Sequence, residues 1–335
     1  MFAPVPLPAG STGGTGRTGG YDPAALDASL RGWAASEPVR SLADASGWDW
    51  PAEADTLALL ERLAGLSAGW DFRRNRERNF IDGAPAEVNG RLVADRLVIA
   101  AARALGLVDA VTITGRTFSH LVVLAGLATA CVNRTQRAAD LLRGGLAADA
   151  VAVLGAHRAL GGTEPSRARD AGLGDLTDEA EVLVAATRKA FGLGPPPVAH
   201  ESQPPADPRH QTAFHAASAR YQWPSVEVVI APSGDPASRR ANTADQLRYW
   251  AQLAGIGRDD DVLILTTQIY VPYQHLETVR VLGLERGCGV YSCGVDPASS
   301  PLPRIAPFGG RDYLQEIRSA LLAARRLLRT ARAPR

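Results

Sequence analysis

Two short apolar runs decide the fold class of this chain: Leu121-Val-Val-Leu-Ala-Gly126 and Ala150-Val-Ala-Val-Leu-Gly155. Each run is apolar on both faces and ends in glycine, which is typical of a strand buried in a parallel sheet. Residues 132–143, which lie between the runs, have helical spacing and stop at a pair of glycines. A strand, a helix and a second strand in this order predict a parallel β-α-β unit.

The same alternation continues to residue 295. Strands are predicted at 111–114, 226–231, 262–265 and 288–295, and helices at 177–191, 243–254 and 272–283. Strands that are apolar on both faces need helices on both sides of the sheet. We therefore predict an α/β fold, a three-layer α/β/α Rossmann-like parallel sheet with an added N-terminal helical region and a C-terminal helix.

Composition and helical spacing organise the rest of the chain. Residues 1–20 are rich in Pro, Gly, Ser and Thr, and residues 21–110 carry leucines at helical spacing. Residues 313–329 are amphipathic, and their apolar face is expected to pack on the core. The predicted organisation is a disordered leader at 1–20, a helical N-terminal extension at 21–110, a Rossmann-like α/β domain at 111–300, and a C-terminal helix and tail at 301–335.

The composition excludes several classes of protein. The 335 residues include 36 basic and 35 acidic side chains, so a net charge of +1 gives no field that attracts nucleic acid or anionic lipid. Three cysteines are too few for a disulfide scaffold, and Lys189 as the single lysine is typical of GC-rich bacterial genomes. The chain shows no secretory signal and no apolar run of roughly 18 residues. We expect a cytoplasmic protein without nucleic-acid or membrane partners, and homo-oligomerisation stays open.

In an open parallel sheet, ligands bind beyond the carboxyl ends of the strands. Four predicted loops lie there, at 126–133, 155–164, 233–243 and 266–272. The candidate ligand- or cofactor-binding residues on these loops and the helices after them are Gly126, Arg134, Arg137, Gly155, Ser233, Arg239, Arg240, Asn242, Thr243, Thr266, Gln268 and Tyr270. In contrast, Gly14-Thr-Gly-Arg-Thr-Gly19 fits a dinucleotide-binding pattern but follows no strand, so we predict no cofactor site there.

The loop at 233–243 is the strongest predicted anion site. Asn242 or Thr243 can cap a helix whose free N–H groups favour a phosphate or carboxylate. Arg239 and Arg240 add a charge-assisted clamp. The alternative is an ordinary helix cap with two solvated arginines.

Two acidic residues are the candidate catalytic groups. Glu164 and Asp235 follow predicted strands, where a carboxylate can act as general acid or base or hold a divalent cation. Because acids in loops are commonly just solvated, that alternative stays open for both residues.

The same loops carry a resemblance to a known family. A glycine after the first strand, Arg134 with Arg137, the 155–164 loop, Asn242-Thr243 and Thr266-Thr267 resemble the SanA/YdcF/ElyC-like family over about residues 119–296. The resemblance implies a three-layer Rossmann-like domain and links to cell-envelope processes. It also makes S-adenosylmethionine a candidate cofactor, because one member is reported to bind it.

The chain departs from that family at four positions. Asp245 and Gln246 stand where members usually have Glu-Asn, and Tyr270 and Tyr273 stand where a His and an Arg are usual. If that His is catalytic in the family, this chain has changed or lost the chemistry.

A basic and aromatic segment at 70–78 lies outside the resemblance. Its arginines share helical faces and, with Trp70 stacking on a ring, could reach over the carboxyl edge of the sheet. The favoured alternative is a surface turn in which the arginines pair with Asp71 and Glu77. His200, His210 and His215 lie too far apart on a proline-rich insert to predict a metal site.

The sequence favours an enzyme that acts on a phosphorylated or nucleotide-like small molecule by group transfer or hydrolysis. In this hypothesis the predicted loops bind the anion and the N-terminal helices close over the site. A specialised bacterial biosynthetic pathway is the expected setting. The alternatives are a non-catalytic ligand-binding module and an S-adenosylmethionine-binding protein.

Overall fold

A computed structural model of the chain describes residues 2–8, 21–73, 84–111, 113, 115–201, 211–296, 300–302 and 307–333. The glycine motif at 14–19 and most of the arginine-rich segment lie outside these residues. Residues 2–8 belong to the predicted disordered leader, yet they pack on the protein. The Val5 N–H donates to the Ala104 carbonyl oxygen at 2.8 Å, and Phe2 contacts the core.

The N-terminal part of the chain is helical with one small hairpin. Its elements are α1 (Pro23–Ala34), α2 (Glu37–Ala45), α3 (Thr56–Leu66), β1 (Ala86–Val88), β2 (Arg91–Val93) and α4 (Asp95–Ala104). The sequence analysis predicted no strands here. The hairpin turns at Asn89-Gly90, where both residues have positive φ, as a two-residue turn requires. Strands of three residues are too short to show an apolar period.

A seven-stranded sheet forms the centre of the protein. Its strands are β3 (Thr117–Leu124), β4 (Ala147–Gly155), β5 (Val198–Glu201), β6 (Ala219–Gln222), β7 (Val226–Ile230), β8 (Asp261–Thr267) and β9 (Gly289–Val295). The strand order is β5-β6-β7-β4-β3-β8-β9, and the five strands from β7 to β9 run parallel. The chain leaves β3 first toward β7 and later toward β9, so a topological switch lies between β3 and β8.

Helices cover both faces of this sheet. The helices that follow β3 are α5 (Ala128–Arg143), α6 (Glu164–Asp170), α7 (Glu179–Phe191), α8 (Gln211–Ala216), α9 (Thr243–Ala254), α10 (Val271–Thr278) and α11 (Gly310–Arg332). One core cluster places α5, α6 and α7 on one face, and a second places α1–α4 and α9–α11 on the other. The predicted three-layer α/β/α fold with helical additions is therefore confirmed.

Two strand predictions differ from the structure. Residues 111 and 113 are not in a strand, and the Val111 side chain is 64% exposed. Conversely, β5 and β6 form an antiparallel edge inside the proline-rich insert, where no strand was predicted. Both edge strands have four residues of mixed polarity, so they lack the apolar run that marks the central strands.

The segment around Trp70 packs inside the helical layer. The Trp70 ring is fully buried, stacks on Trp48 at 4.5 Å between centroids, and donates its Nε1–H to Ser46. Arg73 forms an ion pair with Glu316 on α11. These contacts hold Trp70 and Arg73 within the helical layer, and residues 74–78 of the segment lie outside the described residues.

Helix α11 joins the N-terminal helices to the rest of the protein. Its arginines bind acidic groups on α1, on α3 and at the N-cap of α3, as Arg329 does with Glu61 and Arg332 with Asp27 and Asp55. Its apolar face is buried as predicted from the spacing. Within the described residues, no helix combines the length and apolar character needed to cross a bilayer.

Gly155 provides a test of how closely α7 approaches the sheet. A Cβ atom there would lie 2.2 Å from Leu183 Cδ1, whereas a Cβ at Gly161 meets no atom within 4 Å. We expect Gly155→Ala to lower the free energy of unfolding by about 1–3 kcal/mol, because a packed core resists an added methyl group. Gly161→Ala is the matched control, and chemical denaturation measures both. Equal, small effects of the two substitutions would contradict the packing described here.

Candidate functional site

The loops at the carboxyl edge of the sheet are bonded to one another. The N–H of Ala128, at the start of α5, donates to Glu164 Oε1 at 2.9 Å. The Ala231 N–H, after β7, donates to the Gly155 carbonyl oxygen at 2.8 Å. Arg134 on α5 donates to Thr267 at the end of β8. The segments after β3, β4 and β7 thus meet the end of β8 at one edge, which is where the candidate site residues were sought.

Arg134 fills the topological switch between β3 and β8. Its guanidinium donates to the carbonyl oxygens of Leu124 and Ala125, the latter at 2.7 Å, and to the Thr267 hydroxyl at 3.1 Å. The side chain is fully buried. Arg134 therefore closes the crevice in which ligands of such sheets usually bind, and Gly126 leaves room for its guanidinium group.

The other predicted residues near this switch are also engaged by the protein. Thr266 is fully buried and bonds to Gln274, and the Gln268 amide donates to the Gly106 carbonyl oxygen at 2.7 Å. The Tyr270 ring lies 5.8 Å from the Arg134 guanidinium carbon. Arg137 instead lies beside β9, with Leu263 and Cys293 among its neighbours. The structure does not bring Arg137 to Glu164.

A buried ion-pair cluster joins the loop after β4 to α5 and α7. Arg158 makes a bidentate pair with Glu164, at 2.6 and 2.7 Å, and its Nε donates to Glu179 Oε2 at 2.8 Å. Glu164 also accepts the N–H groups of Ala128 and Gly161. With four donors on its two oxygens, Glu164 holds the loops in place, while its catalytic role stays a prediction.

The pKa values of the two carboxyl groups of this cluster shift in opposite directions. Burial raises the pKa of Glu164, but the Arg158 guanidinium and two backbone N–H groups outweigh it and hold the pKa below its usual value. For Glu179, burial dominates and raises the pKa despite the contacts with Arg158 and Arg240. Burial also raises the pKa of the neighbouring Cys131 thiol to about 12, so this thiol stays protonated.

The helix start predicted to bind an anion holds the protein's own carboxylate. Asn242 caps α9 by accepting the Asp245 N–H, while Asp245 accepts the Asn242 N–H in return. Arg239 pairs with the same Asp245 carboxylate, which lowers its pKa against the effect of burial. Asp245 therefore occupies the predicted site at Asn242, Thr243 and Arg239. In the sequence, Asp245 was noted only as a departure from a family pattern.

The two predicted catalytic acids occupy different environments. Asp235 is exposed, and its N–H donates to the Ser233 hydroxyl at 3.0 Å. Glu164 is only 5% exposed and is bound to Arg158. One carboxylate is solvated and the other is consumed by an ion pair, so the structure does not assemble them as an acid–base pair.

His157 and Asp178 were not among the site residues predicted from the sequence. His157 follows β4 directly, and its Nδ1 lies 3.2 Å from Asp178 Oδ1. Asp178 caps α7. The signal for the histidine was its place just beyond a buried strand, but the cap that contacts it stands 21 residues later, and only the fold brings the two together.

Arg240 is the predicted residue that reaches this cluster while staying partly in solvent. Its guanidinium lies 3.9 Å from Glu179 Oε2, and its side chain is 39% exposed.

No group of three or more metal-ligating side chains is found among the residues that the structure describes. Of the three histidines on the insert, His215 points Nδ1 toward the Pro236 carbonyl oxygen, His200 is exposed, and His210 lies outside the described residues.

Comparison with known proteins finds one matching family model and relatives that are similar over most of the chain. Residues 17–106 match the family model described as the Rv3785 N-terminal domain. Over 320 residues the chain is 29% identical to the uncharacterized proteins Rv3785 of Mycobacterium tuberculosis and Mb3814 of Mycobacterium bovis, which covers 88% of this chain and 87% of each relative. No solved structure matches the chain. The names of these relatives state no activity.

These findings overturn the resemblance to the SanA/YdcF/ElyC-like family. The family model and the relatives that match are those of Rv3785, and none of them points to that family. The motifs that suggested it are a glycine after a strand, two arginines one helical turn apart and an Asn-Thr helix start. Many parallel α/β sheets produce such features for structural reasons. The suggestion of S-adenosylmethionine rested on the same resemblance and loses that support.

Glu164 and Glu179 allow the same substitution to be tested twice in one cluster. We expect Glu164→Gln to lower the free energy of unfolding at pH 7 by about 3 kcal/mol, because it leaves the largely buried Arg158 without its bidentate partner. Glu179→Gln should cost less than about 1 kcal/mol, because an amide oxygen can still accept from Arg158. Denaturant titration measures both, and a larger loss for Glu179→Gln would refute the roles assigned here.

The two variants should also differ in their pH dependence. The Glu164 pKa is lower in the folded state, so its stabilisation is present above the usual value of 4.5 and is lost as the pH falls through the folded pKa. The stability gap between wild type and Glu164→Gln should narrow below about pH 4.5. The Glu179 pKa is raised, so charging this carboxyl destabilises the wild type. The free energy of unfolding of Glu179→Gln should therefore rise relative to that of the wild type as the pH rises above about 4.5. Parallel curves for the two variants would contradict this assignment.

Proposed function

We propose that this protein is an enzyme that binds a small anionic molecule, such as a phosphate ester, at the carboxyl edge of the sheet above β4 and β7. The site keeps the predicted carboxyl edge and leaves out Arg134, whose guanidinium donates to the carbonyl oxygens of Leu124 and Ala125. The observation that carries the proposal is the position of Arg240, which is partly in solvent and contacts the buried cluster around Arg158.

The charges of the cluster support an anionic ligand. Glu164 balances Arg158 through a bidentate pair. Burial favours the neutral form of Glu179, the carboxyl group that lies 3.9 Å from the partly exposed Arg240 guanidinium. A guanidinium in that position favours a phosphate or carboxylate group, which it can bind through two parallel N–H donors.

A non-catalytic ligand-binding protein is the second candidate. Arg134 and Glu164, two of the strongest residues predicted for the site, are both buried and bonded to protein groups. A module that has to bind but not react needs no exposed acid or base. The two candidates share the anion-binding step and differ in whether the site transfers a proton.

Thermal denaturation with defined probes tests the anion site. Inorganic phosphate, AMP, ribose 5-phosphate and S-adenosylmethionine are added to the full chain, since a ligand that binds only the folded state raises Tm. We expect at least one phosphorylated probe to raise Tm by several degrees, because a ligand at 100 times its Kd stabilises the folded state by about 2.7 kcal/mol. Arg240→Gln should lose most of this shift.

Arg248→Gln provides the matched control. Arg248 is a similarly exposed arginine on α9, and its ion pair with Glu285 lies away from the loops after β4 and β7. This variant should keep the Tm shift of the wild type. The proposal fails if no phosphorylated probe raises Tm, or if both arginine variants keep the full shift.

A further inference from the structure

We infer that His157 is the proton-transfer residue of the proposed anion site, and that Asp178 is the residue that positions it. The inference rests on the proposed function, because a proton-transfer group needs a substrate beside it. No motif in the sequence and none of the related proteins assigns a role to either residue. Three features of the structure carry it: the fixed carboxylate, the free ring nitrogen and the location at the carboxyl edge.

The Asp178 carboxylate is held rigidly. Its Oδ2 accepts the Arg158 N–H at 3.0 Å, and its Oδ1 accepts the Ala180 N–H at 2.7 Å at the start of α7. A carboxylate held by two backbone donors has little freedom to turn. Because an ionised carboxylate only accepts hydrogen bonds, the Nδ1 of His157, 3.2 Å away, must carry the proton in the neutral ring.

This arrangement leaves Nε2 of His157 as a bare proton acceptor. The side chain is only 9% exposed, and Nε2 has no hydrogen-bond partner among the residues that the structure describes. A buried polar atom without a partner is unfavourable in a folded protein unless another molecule satisfies it. The ring is braced by Phe214, whose centroid lies 5.5 Å away.

The location of His157 suits the anion proposed to bind at Arg240. His157 follows β4 at the carboxyl edge, and the residue after Asp178 is Glu179, which contacts Arg240. The loop after β7 also lies close, because the Ser233 N–H donates to the carbonyl oxygen of His215, the residue after Phe214. The histidine and the anion-binding arginine are thus linked through two consecutive residues at the start of α7.

The chemistry needs two proton transfers. Nε2 first takes a proton from an attacking hydroxyl group or water molecule, whose oxygen forms a bond to the phosphorus of the ester, while Nδ1 keeps its proton. The resulting imidazolium is stabilised by the Asp178 carboxylate, and Nε2 returns the proton to the ester oxygen as the bond between that oxygen and phosphorus breaks. Acid–base catalysis of this kind contributes about 10²–10⁴-fold to a reaction rate. His157 would touch the substrate, whereas Asp178 acts only through His157.

The tautomer of the His157 ring tests this inference without a known substrate. Long-range 1H–15N correlation of the histidine rings, with His157 assigned from the His157→Gln variant, reports which nitrogen carries the proton. We expect Nδ1–H and an unprotonated Nε2 at pH 8. Asp178→Asn should move the ring toward the Nε2–H tautomer, because an amide cannot accept from Nδ1 and from both backbone donors.

Asp22→Asn is the matched control for the loss of an N-cap carboxylate. Asp22 caps α1 and accepts the Ala24 and Ala25 N–H groups, so this variant tests whether a weakened helix start alone changes the ring. It should leave the His157 tautomer unchanged. An Nε2–H tautomer in the wild type, or an equal change in both variants, would overturn the inference.

Inorganic phosphate separates this inference from the proposed function. If phosphate raises Tm and also shifts the His157 ring signals, both are supported. If phosphate raises Tm and the ring signals stay unchanged, the role of His157 is refuted while the anion site stands. If neither responds to phosphate, and AMP and ribose 5-phosphate also leave Tm unchanged, the anion site fails. The catalytic role of His157 then fails with it, even where the tautomer is the expected one.

Discussion

The buried pair of Arg158 and Glu164 is the interaction on which the carboxyl edge depends. Moving two charges out of water is costly, and the attraction between them offsets that cost only when every remaining donor and acceptor is satisfied. Glu164 meets this condition by accepting the N–H groups of Ala128 and Gly161 in addition to Arg158. The same bonds that satisfy the carboxylate therefore fix the start of α5 and the loop after β4.

This requirement explains why the groups most suited to a ligand are used by the protein itself. Arg134 saturates the strand-end carbonyl groups at the topological switch, and Asp245 occupies the helix start at Asn242. On the edge above β4 and β7, Arg240 is partly in solvent, and Nε2 of His157 has no hydrogen-bond partner within the described part of the chain. The proposed site includes both side chains.

The sequence predicts those parts of the fold that leave a local pattern of apolar residues, and it does not predict the others. The central strands, such as β3 and β8, are apolar on both faces and leave a local signal. The antiparallel strands β5 and β6 and the hairpin strands β1 and β2 are short and mixed in polarity. Their pairing depends on the neighbouring strands and leaves no apolar periodicity in the sequence. Asn89-Gly90 was the one local sign of that hairpin.

The sequence by itself determined the alternation of strands and helices, and hence the edge at which candidate residues gather, because apolar spacing is a property of adjacent residues. Only the tertiary structure decided which polar groups are consumed and which remain available. Arg134 meets Thr267 across 133 residues, and Glu164 meets Ala128 across 36. Burial and pairing depend on contacts between residues that are distant in sequence. The sequence around a loop arginine or glutamate therefore does not distinguish a residue that stabilises the fold from one that binds a ligand.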